Sequence, residues 1–183
     1  DAPWCLIGRG DSIRLAEVAT GASVTVVGAR RATSYGLEMA RSISRELSAA
    51  GLLVVSGMAL GIDGAAHRGA LEAGPTVAGL GCGVDSPYPV SHTRLYRNIV
   101  ENGLVISEFP PGTQPWKWTF PARNRIMAAL SQMTVVVEAA RRSGSLITAE
   151  MAADAGREVE AVPGQVTSLA AGGTNELISS GAA

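Results

Sequence analysis

Residues 109–125, FPPGTQPWKWTFPARNR, hold the densest chemistry in the chain. Aromatic residues make up 4% of the sequence, yet Trp116, Trp118 and both phenylalanines, Phe109 and Phe120, fall in this stretch. So does Lys117, the only lysine. Rings interleaved with Lys117, Arg123 and Arg125 suit single-stranded nucleic acid. Bases stack on the rings, at about 1–3 kcal/mol each, while the cations hold phosphates. The competing reading folds the rings onto a core. It accounts less well for three cations, which are costly to bury without partners. Pro110, Pro111, Pro115 and Pro121 are expected to keep the segment extended.

Other loops carry related chemistry. Gly28-Ala29-Arg30-Arg31, Ser56-Gly57-Met58-Ala59-Leu60-Gly61, Gly81-Cys82-Gly83 and Arg141-Arg142-Ser143-Gly144-Ser145 repeat glycines, hydroxyls and arginines. Glycine lets backbone N–H groups approach an oxyanion, and a helix that follows adds partial positive charge. One such loop is ordinary turn chemistry. Several on one rim point to phosphate binding.

The elements that must position these loops are legible. Apolar runs at 24–27, 52–55, 76–78, 104–106, 134–137 and 159–162 are mostly continuous, as strands buried on both faces require. Helical patterns lie between them, at 36–50, 64–73, 91–101, 123–131 and 145–155. The alternation predicts an α/β fold with a mostly parallel, doubly wound sheet. All parallel strands end on one edge, so the loops above share one rim, where open α/β sheets bind ligands.

Asp63 and His67 lie four apart, on one helix face. They could form an acid/base pair. The alternative makes Asp63 an N-cap and His67 a packed helix residue, and it is preferred. Glu108 and Glu138 end strands at the rim and could act as bases or as helix caps. No GxxxxGK[ST], no GxGxxG after a strand and no GxSxG occurs, which excludes the usual nucleotide-hydrolase, dinucleotide and esterase signatures.

The 183 residues carry 15 Lys+Arg and 16 Asp+Glu, a formal charge of -1, with 46% hydrophobic residues. That balance excludes a disordered tail and a histone-like basic protein, so any anion site needs local clustering of charge. Cys5 and Cys82 form no CxxC pair, which points away from a structural zinc site and from a secreted disulfide framework. No apolar run approaches the length of a membrane span, and a cytoplasmic protein is expected.

The segments VVGARRATSYG (26–36), VVSGMALGIDGAAHRGAL (54–71), GLGCGVDSPYP (79–89), LVISEFPPGT (104–113), FPARNRIMAAL (120–130), VVVEAARRSGSLITAEMA (135–152), AVPGQV (161–166) and GGTNELISSGA (172–182) together resemble the DprA/Smf family. The resemblance implies an extended Rossmann-like domain over 24–183, with 1–23 leading into the core. It implies a cytoplasmic, dimeric, non-enzymatic protein that binds single-stranded DNA and loads RecA recombinase in transformation and recombination, without nucleotide or metal. The DNA-binding positions it implies are Arg30, Ser56, Gly57, Gly61, Lys117, Phe120, Arg123, Asn124, Arg125, Ser143, Gly144 and Thr148. Ala29 replaces a family Thr or Ser, and Leu60 replaces an arginine common in the family. Both changes argue for weaker DNA binding. Many members continue into a small C-terminal winged helix, which is expected to be absent here.

A second reading comes from the Rossmann-like phosphoribohydrolases. Ser143–Glu150 faintly echoes their PGGxGTxxE loop. Glu150 or Glu138 would then assist cleavage of a nucleoside monophosphate. The missing Pro-Gly-Gly and the aromatic–basic stretch count against it.

Overall fold

The computed structural model describes residues 2–20 and 23–182. The strands are β1 (Ile7–Gly10), β2 (Ser23–Val27), β3 (Leu53–Ser56), β4 (Thr76–Gly79), β5 (Leu104–Ser107), β6 (Met133–Val136) and β7 (Glu158–Ala161). The helices are α1 (Ile13–Ala19), α2 (Ser34–Ala49), α3 (Ile62–Ala70), α4 (Thr93–Asn102), α5 (Thr119–Leu130), α6 (Gly144–Asp154) and α7 (Gly172–Ser179).

The sheet runs β1-β5-β4-β3-β2-β6-β7. Strands β2 to β7 pair in parallel, and β1 pairs antiparallel with β5 through Ile7 opposite Ser107. From β2 the chain steps outward to β5, then returns to place β6 on the other side of β2. That reversal opens a crevice between the carboxyl ends of β2 and β6, the switch point where doubly wound sheets take ligands.

Alternation along the buried strands feeds two cores. Val27, Val55, Val77, Leu104, Ile106 and Val136 face Val18 of α1, Ile126 and Met127 of α5 and Ala149 of α6. Val24, Val26, Val54, Val135 and Val137 face Ala40 of α2 and Ala65, Ala66 and Ala70 of α3. Ala78 and Val105 continue the second face onto Leu95, Tyr96 and Ile99 of α4. Each fully buried Val, Leu or Ile contributes about 1.5–3 kcal/mol. The small alanines of α3 let that helix lie close to its neighbours.

The structure departs from the sequence expectations in several places. Ahead of β2, Ile7–Gly10 adds an edge strand to the sheet and Ile13–Ala19 a helix packed on it. Helix α5 begins at Thr119, and Pro121 sits inside its first turn, where a missing N–H costs nothing. The stretch 109–125 is therefore extended only in part. Helix α3 is capped by Gly61, not by Asp63, which lies one residue inside it.

Candidate nucleic-acid interface

A cleft of about 730 Å³ lies at the switch point. Its walls come from the β2–α2 loop (Gly28 to Arg31), the β6–α6 loop with the start of α6 (Arg142 to Thr148), and the first two turns of α5. Arg30, Arg31, Lys117, Arg123 and Arg142 line it, against one carboxylate among the described residues, that of Asp63. The chain as a whole is nearly neutral. Low-dielectric walls lined by one sign of charge focus a positive field here.

The aromatic wall is built on α5. Phe120, Arg123, Asn124 and Met127 are spaced i, i+3, i+4 and i+7, so one helix stripe faces the cleft. The Phe120 ring lies 5.7 Å from that of Tyr88 and 5.0 Å from the Arg30 guanidinium carbon. Arg30, Phe120 and Tyr88 thus form a continuous surface of guanidinium and rings. Tyr88 belongs to this wall although the motifs did not single it out. Its signal was an aromatic flanked by Pro87 and Pro89 in a rim loop.

Beneath the wall lies a buried polar layer. Arg123 is 4% exposed. Its Nη1 donates to the carbonyl of Gly79 at 2.6 Å and to that of Gly57, and its Nε donates to Asn124 Oδ1 at 3.1 Å. The Met58 carbonyl accepts from His92 Nδ1 at 3.0 Å, and Asp63 Oδ2 accepts from the Ala59 amide at 3.3 Å. Three consecutive residues of the β3–α3 turn are therefore held by buried side chains from three elements. The turn needs this support, because Met58 adopts a φ of 60°. Burial pushes the Asp63 carboxyl up, and the charges of Arg123 and Arg30 pull it back down. Burial likewise pushes the Arg123 guanidinium down, countered by Asp63.

The expected site residues separate into two groups. Arg30, Lys117, Phe120, Arg123, Asn124, Ser143, Gly144 and Thr148 line the cleft. Ser56, Gly57, Gly61 and Arg125 do not. The Ser56 hydroxyl donates to the Val26 carbonyl at 2.6 Å. A Cβ on Gly57 would fall 2.2 Å from Arg123 Nη1, and one on Gly61 would fall 2.2 Å from the Ala29 carbonyl oxygen. These two glycines are packing positions beneath the rim, and Ala59 is the cleft-lining residue of that turn. Arg125 pairs with Glu108 away from the cleft. Two residues along a helix is about 200° of rotation, so Arg123 and Arg125 cannot share a face.

Asp63 and His67 do not form an acid/base pair. His67 is fully buried, and burial holds its ring neutral, with a pKa of about 3. Thr76 donates its hydroxyl proton to the Val54 carbonyl at 2.7 Å, so at 2.9 Å His67 Nδ1 is the donor to Thr76 Oγ1. Glu138 accepts from the Thr33 amide at 2.9 Å and from the Thr33 hydroxyl, while Thr33 caps α2. It is a helix-start partner, not a base. Glu150 is exposed on α6, outside the cleft lining. No described helix is long and apolar enough to cross a membrane.

Known proteins share this architecture. A solved structure of DNA processing protein A from Streptococcus pneumoniae superposes with a TM-score of 0.91 at 42% identity, covering 99% of this chain and 62% of that one. A Helicobacter pylori DNA processing protein A, whose structure is described as revealing a single-stranded DNA binding mode, superposes with a TM-score of 0.91 at 34% identity. It is covered over 81% of its length, and this chain over 99%. Among curated relatives, a putative DNA processing protein DprA of Mycobacterium tuberculosis is 48% identical over 170 residues, 92% of this chain and 43% of the relative. DprA of Bacillus subtilis is 39% identical over 183 residues, all of this chain and 61% of the relative. The chain thus spans about half the length of these curated relatives. A molybdenum cofactor binding protein from Rippkaea orientalis, 19% identical with a TM-score of 0.62, shares the fold alone. The sequence model of the DNA recombination-mediator protein A family matches residues 1–183, and the chain belongs to that family.

Proposed function

We propose that the cleft binds single-stranded DNA without chemical turnover. The observation that carries this reading is the Arg30–Phe120–Tyr88 surface in a cationic crevice. A base stacks on Phe120, and the phosphates on either side meet Arg30, Lys117 and Arg142. The Ser143 hydroxyl and the start of α6 add donors for an oxyanion. Arg123 contributes its charge from the floor. Support also comes from the Helicobacter pylori relative, described as binding single-stranded DNA.

The strand is recombination substrate in the cytoplasm, protected and then handed to a RecA-type recombinase. The family's description as a recombination mediator supports that role. A homodimer fits the exposed Val166 and Leu169 beside the rim. The phosphoribohydrolase reading is disfavoured. Glu138 is committed to Thr33, and Glu150 lies outside the cleft.

Fluorescence anisotropy of labelled oligo-dT across a salt series tests the proposal, with duplex of equal length as control. Single-strand binding that weakens with salt, with a log–log slope of about -0.7 per phosphate, is expected. Equal or tighter duplex binding, or release of free base from a nucleotide panel, would overturn it.

A further inference from the structure

The Asn124 side chain is held on one side only. Its Oδ1 accepts from Arg123 Nε at 3.1 Å, and Nδ2 has no protein partner among the described residues. A guanidinium is donor-only, so the atom facing it must be the amide oxygen. The NH2 then points away from Arg123, and Asn124 lines the cleft. Arg123 is itself fixed by the Gly57 and Gly79 carbonyls at the ends of β3 and β4. A rigid clamp therefore sets the polarity of an amide that could otherwise flip.

We propose that Arg123 is a positioning residue that acts through Asn124. It turns the Asn124 NH2 into the cleft, where the NH2 donates to an acceptor oxygen of the bound strand. This rests on the single-stranded DNA reading and deepens it, because it assigns a polarity to one contact. The acceptor is a phosphate oxygen or a base carbonyl.

Asn124→Asp gives the sharpest test. The carboxylate still accepts from Arg123 Nε, so the clamp stays, while the cleft-facing donor becomes an acceptor. Binding of labelled oligo-dT should fall about tenfold or more, with the melting temperature little changed. A strand of abasic phosphodiester units, run in parallel, separates the two acceptors. An equal loss on both strands assigns a phosphate, and a loss on oligo-dT alone assigns a base carbonyl.

Arg123→Lys keeps a cation but loses the planar Nε–H donor. Its weakening of binding should vanish in an Asn124→Ala background, because the partner through which it acts is gone. A merely structural Arg123 would give additive losses. Wild-type affinity in Asn124→Asp, within twofold, or additivity in the double variant would overturn the proposal. In the free protein, nuclear magnetic resonance should find the Arg123 Nε–H slow to exchange in wild type and in Asn124→Asp, and fast in Asn124→Ala. Equal exchange in all three overturns the clamp even if DNA binds. A wild-type protein that binds no strand yet shows the expected exchange overturns the binding reading and leaves the clamp intact.

Discussion

The Arg30 guanidinium carbon stands 5.0 Å from the centre of the Phe120 ring. Before any ligand arrives, a cation covers the ring proposed to stack a base. Such a pair is worth about 0.5–1 kcal/mol at an exposed site. On the proposed binding mode, stacking is an exchange: the base would take the ring face, and the guanidinium would shift to an adjacent phosphate, where its charge is better matched.

Arg30→Ala should weaken oligo-dT binding by about tenfold to a hundredfold, as loss of a charged hydrogen-bond donor implies. The salt slope should shrink by about 0.7, the share of one phosphate. Oligo-dA and oligo-dC should lose as much as oligo-dT, since phosphate contacts carry no sequence information. A sequence-selective loss in the anisotropy titration would contradict this role.

Phe120→Ala should cost about 1–3 kcal/mol of binding and leave the salt slope unchanged. Phe120→Tyr should bind nearly as well as wild type. The comparison is made by titration at several salt concentrations. A changed slope would mean that Phe120 acts by placing Arg30, not by stacking.

Gly57→Ala should destabilise the fold by about 1–3 kcal/mol through overpacking. The new methyl would lie 2.2 Å from Arg123 Nη1 and 2.6 Å from Asp63 Oδ2. Both buried groups would have to move, so DNA affinity should fall together with the urea midpoint. An alanine tolerated in both assays would show that the floor of the cleft is loose.

His67 makes acid stability a sharp test. Its folded pKa of about 3 lies below the ordinary histidine value of 6.5. The unfolded chain therefore binds more protons between those values. Stability should fall as pH drops through this window, by about 1.4 kcal/mol per unit for this group. Asp63 works in the opposite direction, because its raised pKa lets the folded state gain stability as the carboxyl protonates. His67→Asn keeps a donor for the Thr76 hydroxyl and removes the titration. Its urea midpoint should decline less steeply between about pH 6 and 4 than that of wild type. Parallel curves would mean that His67 does not govern the acid limb.

Most of the parallel strands were legible because they are short, largely apolar runs of about four residues bounded by turn residues, although β7 (Glu-Val-Glu-Ala) alternates. The cleft loops followed from them, since parallel strands share a carboxyl edge. Strand β1 was not legible. Its sequence, Ile-Gly-Arg-Gly, has no apolar alternation, and its pairing depends on β5, about a hundred residues away. Helix α7 escaped for a related reason: it opens on Gly172-Gly173 and has weak helix propensity. Charge type singled out Arg123 and Arg125 as candidates. It could not show that one is clamped in the floor and the other paired with Glu108. That distinction depends on where α5 begins, and Pro121 disguised its start.

The strained turn at Met58 gives the cleft a history as well as a shape. His92 reaches its carbonyl across 34 residues of sequence, and Arg123 reaches the neighbouring Gly57 carbonyl across 66. Each contact closes a long loop at an entropic cost. The floor on which Asn124 and the aromatic wall rest is thus tied together by contacts between elements well separated in sequence. A partly folded chain with its central strands paired would possess the sheet and still have no place to put a nucleotide. Competence to bind is a property of the finished molecule, and strand binding would in turn reward completion of the fold.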